Sequence, residues 1–144
     1  MLDYTFGHLD IIPWNEDYKN FDYIKQPIKE EEITQWREQG YYHKSFSGAM
    51  YSSKNPMPDW VEDVSKQLHL KKCGYVFYKM DTLDIMPVHT DHYETYCKVF
   101  EVPYKKVSRA IIFLEDWKSG HYFEIDNQAF TGWEKGDYVM WRQD

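Results

Sequence analysis

Met86-Pro87-Val88-His89-Thr90-Asp91-His92 is the stretch on which the reading of this chain turns. It places a histidine and a carboxylate two residues apart, behind a segment that reads as a β-strand, Tyr75-Val76-Phe77-Tyr78-Lys79-Met80, and an Asp81-Thr82 turn. In an extended backbone, positions i and i+2 point to the same face. One imidazole nitrogen of His89 and one carboxylate oxygen of Asp91 can then grip the same metal ion. A further protein ligand has to come from elsewhere in the chain.

Working outward, the pattern before this stretch is helical and the pattern after it is alternating. Residues 1–27 are rich in Asp, Asn, Tyr and Pro without clear periodicity and read as an irregular arm with one short strand. From Lys29 to Gln39 a glutamate-rich start, Ile33 and Trp36 on one side and Gly40 as a stop predict a short helix. A second begins near Pro58, with Asp59, Glu62 and Asp63 at its N-terminal end and a stripe of Trp60, Val61, Val64 and Leu68. Lys71, Lys72 and Gly74 end it.

Beyond the motif, Arg109 to Glu115 predicts a strand buried on both faces. Lys118-Ser119-Gly120 turns the chain into Tyr122-Phe123-Glu124-Ile125, and Asp126-Asn127 turns it again. Gln128 to Trp133, a Lys135-Gly136 turn and a last strand from Asp137 to Trp141 follow. Helices followed by short, turn-punctuated strands describe a mainly β domain, a jelly-roll or barrel with N-terminal helices. No repeat or linker divides the 144 residues, so one domain is expected, with 1–73 as support and 74–144 as the β core.

Composition narrows the function classes. Thirteen Tyr, eight Phe and six Trp make rings the main currency of burial, and many carry a polar tip suited to a half-buried sheet or pocket. The formal net charge of -7 weighs against nucleic-acid binding, which needs the opposite sign. No apolar run approaches a membrane span and no signal-peptide pattern opens the chain, so a cytoplasmic protein without a membrane partner is expected. Cys73 and Cys97 form no C-x-x-C pair and fit free thiols in a reducing cell better than a disulfide or a zinc site.

The triplet alone is weak. With six histidines in an aspartate-rich chain, a second His-x-Asp occurs at His8-Leu9-Asp10, and a His-x-Glu at His92 and Glu94. His8-Leu9-Asp10 reads as background, because it lies in a polar arm with no strand expected ahead of it. Position separates His89 and Asp91 from these rivals; their bland alternative is a surface hydrogen-bonded pair.

The order of segments carries a resemblance. A strand, His89-x-Asp91, a loop, then Arg109-Ala-Ile-Ile-Phe-Leu-Glu, Gly120-His-Tyr-Phe-Glu and Lys135-Gly136-Asp137-Tyr-Val-Met-Trp run through residues 74–141. Together they resemble the core of the Fe(II)/2-oxoglutarate-dependent dioxygenases. The similarity is greatest to the prolyl-hydroxylase-like branch and to small oxygenases of marine phages and bacteria. The resemblance implies a double-stranded β-helix (jelly-roll) and Fe(II) held by two histidines and one carboxylate, the set of non-haem Fe(II) oxygenases. It also implies 2-oxoglutarate as cosubstrate, O2 as oxidant, and hydroxylation of a small-molecule or peptide substrate with release of succinate and CO2.

Carried over by position, His89 and Asp91 match the family's first two metal ligands. Tyr78 lies where a hydroxyl often touches the 2-oxoglutarate carboxylate, or else is a cross-strand tyrosine. Arg109 matches a strand-initial arginine that either supports the site or pairs with a surface carboxylate. His121 is expected on a strand of the same sheet as the metal motif, facing cosubstrate or substrate. His92, Tyr93 and Tyr96 form either a pocket rim or a solvated loop.

The chain also departs from the family. The distal histidine follows a Gly-Asp segment, here Gly136-Asp137-Tyr138-Val139-Met140-Trp141, after which only Arg142, Gln143 and Asp144 remain. The arginine expected against the far carboxylate of 2-oxoglutarate is missing as well, since neither Arg109 nor Arg142 is at its position. Two closing strands of an eight-stranded jelly-roll would then be absent, leaving open edges. The expectation is a C-terminally truncated oxygenase; the alternative is a non-catalytic jelly-roll binding module or inactive fragment whose incomplete triad is its true state.

Overall fold

The last strand read from the sequence organises the largest sheet. The computed structural model describes residues 2–142; Met1, Gln143 and Asp144 lie outside them. The strand Asp137–Arg142 (β10) runs antiparallel between Asp3–His8 (β1) and Ser108–Ile112 (β7). Alternation decides its faces: Val139 and Trp141 are buried, whereas Tyr138 and Met140 are partly exposed. The register sets Phe6, Val139 and Ile111 in one row and Tyr4, Trp141 and Arg109 in the next.

This sheet bears on three expectations. The last strand lies at its centre, with β1 from the far end of the chain on one side and β7 on the other, so the edges of the sheet are β1 and β7. The arm 1–27 begins with a six-residue strand, in keeping with the short strand expected there. Gly7 sits there opposite Tyr138, and a side chain at that position would meet the tyrosine ring. The Arg109 segment is shorter than read, and it is half-buried, since Ala110, Ile111 and Ile112 are all partly exposed.

The described residues form two compact units, residues 2–13 with Asp59–Cys73 and residues 91–142, and Trp14–Pro58 with Gly74–Thr90. In the first unit, Ile125, Val139 and Trp141 form the core, with Leu2, Tyr4, Ile111, Phe123 and Phe130 against it. Phe123–Ile125 (β8) and Gln128–Phe130 (β9) make a hairpin. Its two connecting residues, Asp126 and Asn127, both have positive φ (49° and 62°), the conformation that a two-residue hairpin turn demands. Phe130 stacks on Phe6 at 5.1 Å.

Helix Trp60–Gln67 (α2) belongs to this unit and buries the expected stripe through Val61, Val64 and the following Leu68. The Gln67 amide ties it to the turn after β1, accepting from Ile11 N–H at 3.1 Å and donating to Ile11 C=O at 2.8 Å. A third helix, Glu94–Phe100 (α3), occupies what the sequence offered as rim or loop. Left-handed residues, Tyr93 and Glu101, bound it at both ends, and Tyr96 packs on Phe100 one turn later at 4.7 Å.

In the second unit, Ile24–Lys25 (β2), Ala49–Ser52 (β4) and Val76–Lys79 (β5) form an antiparallel sheet in that order. Ser45–Phe46 (β3) and Asp84–Ile85 (β6) pair in parallel. Phe21, Tyr51 and Phe77 supply an aromatic core, Phe21 stacked on Tyr51 at 4.3 Å and edge-on to Phe77 at 5.1 Å. Helix Glu30–Glu38 (α1) buries Trp36 against Phe46 at 5.2 Å.

The approach of β4 to β5 requires Gly48. A side chain there would collide with the Lys79 carbonyl oxygen. The preceding Ser47 is fully buried in the left-handed region (φ 64°). Bonds from its N–H to Ile85 C=O (2.8 Å) and from its hydroxyl to Gln26 C=O (3.0 Å) hold it there.

The described residues thus form small, mainly antiparallel sheets with three helices, and the strands make four separate sheets with no closed barrel. Among them, no helix is long and apolar enough to cross a membrane.

Candidate functional site

The metal motif lies in an irregular segment between β6 and α3. The strand ends at Ile85, so His89, Thr90 and Asp91 are not on it, and the same-face argument from strand geometry does not apply. Pro87 is fully buried and anchors the segment, after which Val88, His89 and Thr90 are exposed. The boundary between the two units runs between Thr90 and Asp91, so His89 is described with one and Asp91 with the other.

His89 Nδ1 lies 2.8 Å from the Pro87 carbonyl oxygen. Donation to that carbonyl puts the ring proton on Nδ1 and the lone pair on Nε2. Metal-bound histidines use this same device to fix tautomer and ring orientation.

Asp91 is held more elaborately. Arg109, at the second position of β7, places Nη1 2.8 Å from Asp91 Oδ2. The Tyr93 hydroxyl donates to the same oxygen at 3.4 Å, and the Tyr104 hydroxyl donates to the Asp91 carbonyl at 3.0 Å. The guanidinium lies 5.9 Å from the ring centres of both Tyr93 and Trp141, a cation–π setting that orients it. The carboxylate with which Arg109 pairs is therefore Asp91 itself.

The remaining positions are separate. The Tyr78 hydroxyl on β5 accepts the Gly48 N–H at 2.6 Å, a bond within its own sheet. His121 is exposed in the turn ahead of β8. Its N–H reaches Lys118 C=O at 3.0 Å and its carbonyl accepts the Trp117 indole N–H at 2.7 Å. The expectation of a shared sheet fails here, because β8 pairs with β9 and β6 with β3. His92 is exposed. Tyr96, on α3, donates to Lys72 C=O at 2.8 Å, and burial raises its hydroxyl above the usual tyrosine range.

The rival motif was set aside on a premise that the structure corrects. His8 ends a strand, and its Nδ1 meets Asp137 Oδ1, not Asp10, at 2.7 Å. The other Asp137 oxygen accepts the Glu134 N–H at 2.8 Å. Tyr93 and Tyr104 escaped the reading of the site as partners of Asp91. The Pro103-Tyr104 step into a helical turn marks a change of direction but names no contact.

Among the described residues, no group of three or more His, Cys, Asp and Glu side chains is placed to hold a metal. His89 and Asp91 offer an imidazole nitrogen and a carboxylate, two of the three ligands in the iron set. In comparisons with protein-family models, curated proteins and solved structures, none matches the chain.

Proposed function

We propose that this chain is an Fe(II)- and 2-oxoglutarate-dependent dioxygenase domain, cytoplasmic and related to the prolyl-hydroxylase-like branch, its strands corresponding to part of that family's jelly-roll. Its reaction would hydroxylate a small-molecule or peptide substrate with release of succinate and CO2. His89 and Asp91 would hold the metal, which supplies the oxidising chemistry when bound.

The observation that supports the reading is the 2.8 Å contact between His89 Nδ1 and the Pro87 carbonyl, the kind of outer hydrogen bond that orients metal-bound histidines; Nε2 would then be the ligating nitrogen. Arg109 and Tyr93 play the corresponding part for Asp91, holding one carboxylate oxygen and fixing the plane of the group. His89 and Asp91 would be two of the three protein ligands, so no catalytic step is derived through the metal.

A second reading has its own observation. In the Arg109–Asp91 ion pair the carboxylate charge is already balanced, as in a structural bridge, which favours a non-catalytic β binding module. Anaerobic metal titration and succinate release, measured on wild type and His89→Ala, separate the two. Metal binding and turnover lost in the variant support the dioxygenase; no turnover and no effect of the substitution favour the module.

A further inference from the structure

A second concave site lies wholly within the unit formed by residues 14–58 and 74–90 and uses neither His89 nor Asp91. It is a cavity of about 250 Å³ between α1 and the β2 and β3 segments. Lys25, Arg37 and Lys44 all line it, and no Asp or Glu does, in a chain whose net charge is -7. Ile28, Ile33 and Phe46 supply its apolar wall. Ile33 and Arg37 are one helical turn apart on α1 and so share a face.

The three cations have different duties. Lys25 Nζ is committed to Ser45 Oγ and Ser47 C=O at 2.7 Å each and to Asp84 Oδ1 at 3.4 Å, so it stiffens the wall. Arg37 lies 4.7 Å over the Phe46 ring, and its Nη1 donates to Tyr41 C=O at 3.2 Å, which orients the fork while leaving other N–H groups to donate. Lys44 has no ion-pair partner among the described residues. The Gln26 amide oxygen, on a residue of the same lining, is buried without a hydrogen-bond partner among them.

From this arrangement we infer a binding site for a small organic acid: a carboxylate for Arg37 and Lys44, and a branched or aromatic body for the apolar wall. A volume below the usual range of drug-sized pockets limits the ligand to a small metabolite. Flat guanidinium geometry suits carboxylate and phosphate alike, so the apolar wall is what favours an anion with a hydrocarbon body.

Mandelate carries both features and serves as the probe, with mandelamide as its uncharged isostere and inorganic phosphate as a bare anion. Titration of the whole chain by calorimetry or NMR should give saturable mandelate binding. Mandelamide should bind at least about tenfold more weakly, and phosphate, which lacks the hydrocarbon body, should compete only at several-fold higher concentration. Arg37→Gln should weaken mandelate about tenfold. Since Arg37 also packs on Phe46, Lys44→Gln provides a test free of that contact, with a several-fold loss expected and an unchanged melting temperature. Equal binding of mandelamide, phosphate binding as tight as that of mandelate, undiminished binding in Lys44→Gln, or no saturable binding of mandelate in the millimolar range would each overturn the proposal.

Discussion

Arg109 Nη1 stands 2.8 Å from Asp91 Oδ2, with the guanidinium 5.9 Å from the Tyr93 and Trp141 rings. The pair joins a β7 residue to an irregular segment 18 residues earlier, so the direction of the Asp91 carboxylate is set by the sheet. Trp141, opposite Arg109 in the register, is itself buried, which gives the arginine a rigid floor.

Arg109→Gln tests what the pair is for. If it orients a metal ligand, the variant should bind Co(II), a spectroscopic substitute for Fe(II), about 10–100-fold more weakly while remaining folded. Arg109→Lys should recover only part of this, because an ammonium keeps the charge but not the flat stacking surface. Co(II) absorbance titration under anaerobic conditions provides the check; unchanged affinity in both variants would mark a structural bridge.

Asp137 serves two partners, His8 Nδ1 at 2.7 Å and the Glu134 N–H at 2.8 Å, and its side chain is only 16% exposed. Asp137→Ala should therefore cost about 1–3 kcal/mol, whereas His8→Ala, removing the more exposed partner, should cost about 1 kcal/mol or less. Urea unfolding of the two variants gives the comparison, and equal losses would contradict it.

Gly48→Ala should be among the most damaging single changes. The added methyl meets the Lys79 carbonyl oxygen, a backbone atom that can withdraw only if β4 and β5 separate. A loss of about 3 kcal/mol or more is expected by chemical denaturation, since overpacking against backbone has no low-cost relaxation. Near-native stability would show that this contact is looser than described.

Asp84 gives stability an acid limit. The Ser45 hydroxyl at 2.7 Å, the Asp81 N–H at 2.9 Å and the Lys25 ammonium hold its carboxyl below the ordinary value of 3.8 despite some opposing desolvation. A depressed folded pKa means stabilisation that is complete above the unfolded value and lost as pH falls through the folded one. The stability difference between wild type and Asp84→Asn should be constant above about pH 5 and shrink below about pH 4. Urea midpoints across pH 2.5–7 (a range set by those values) measure it; a difference independent of pH would contradict the assignment.

What the sequence disclosed was local. Val139 and Trp141 alternate against Tyr138 and Met140, and Val61, Val64 and Leu68 repeat at helical spacing, so β10 and α2 were readable within a residue or two. The β1–β10 pairing joins the two ends of the chain. Nothing in Asp3-Tyr4-Thr5-Phe6-Gly7-His8 announces its partner, so the sequence predicts a short strand in the arm without placing it beside β10. Helix α3 was hidden because left-handed Tyr93 and Glu101 bound it, in place of the usual cap residues. At the site, His89 and Asp91 stood out by spacing. Their supports are a backbone carbonyl and an arginine on a distant strand, contacts that only tertiary structure creates.

The most direct test of the central claim is anaerobic Fe(II) binding, with succinate release from 2-oxoglutarate on admission of O2, in wild type, His89→Ala and Asp91→Ala. Stoichiometric Fe(II) binding by the wild type is expected, with an affinity at least about tenfold weaker in each variant and turnover lost in both. Binding and turnover that are the same in all three proteins, or absent from all three, would contradict it.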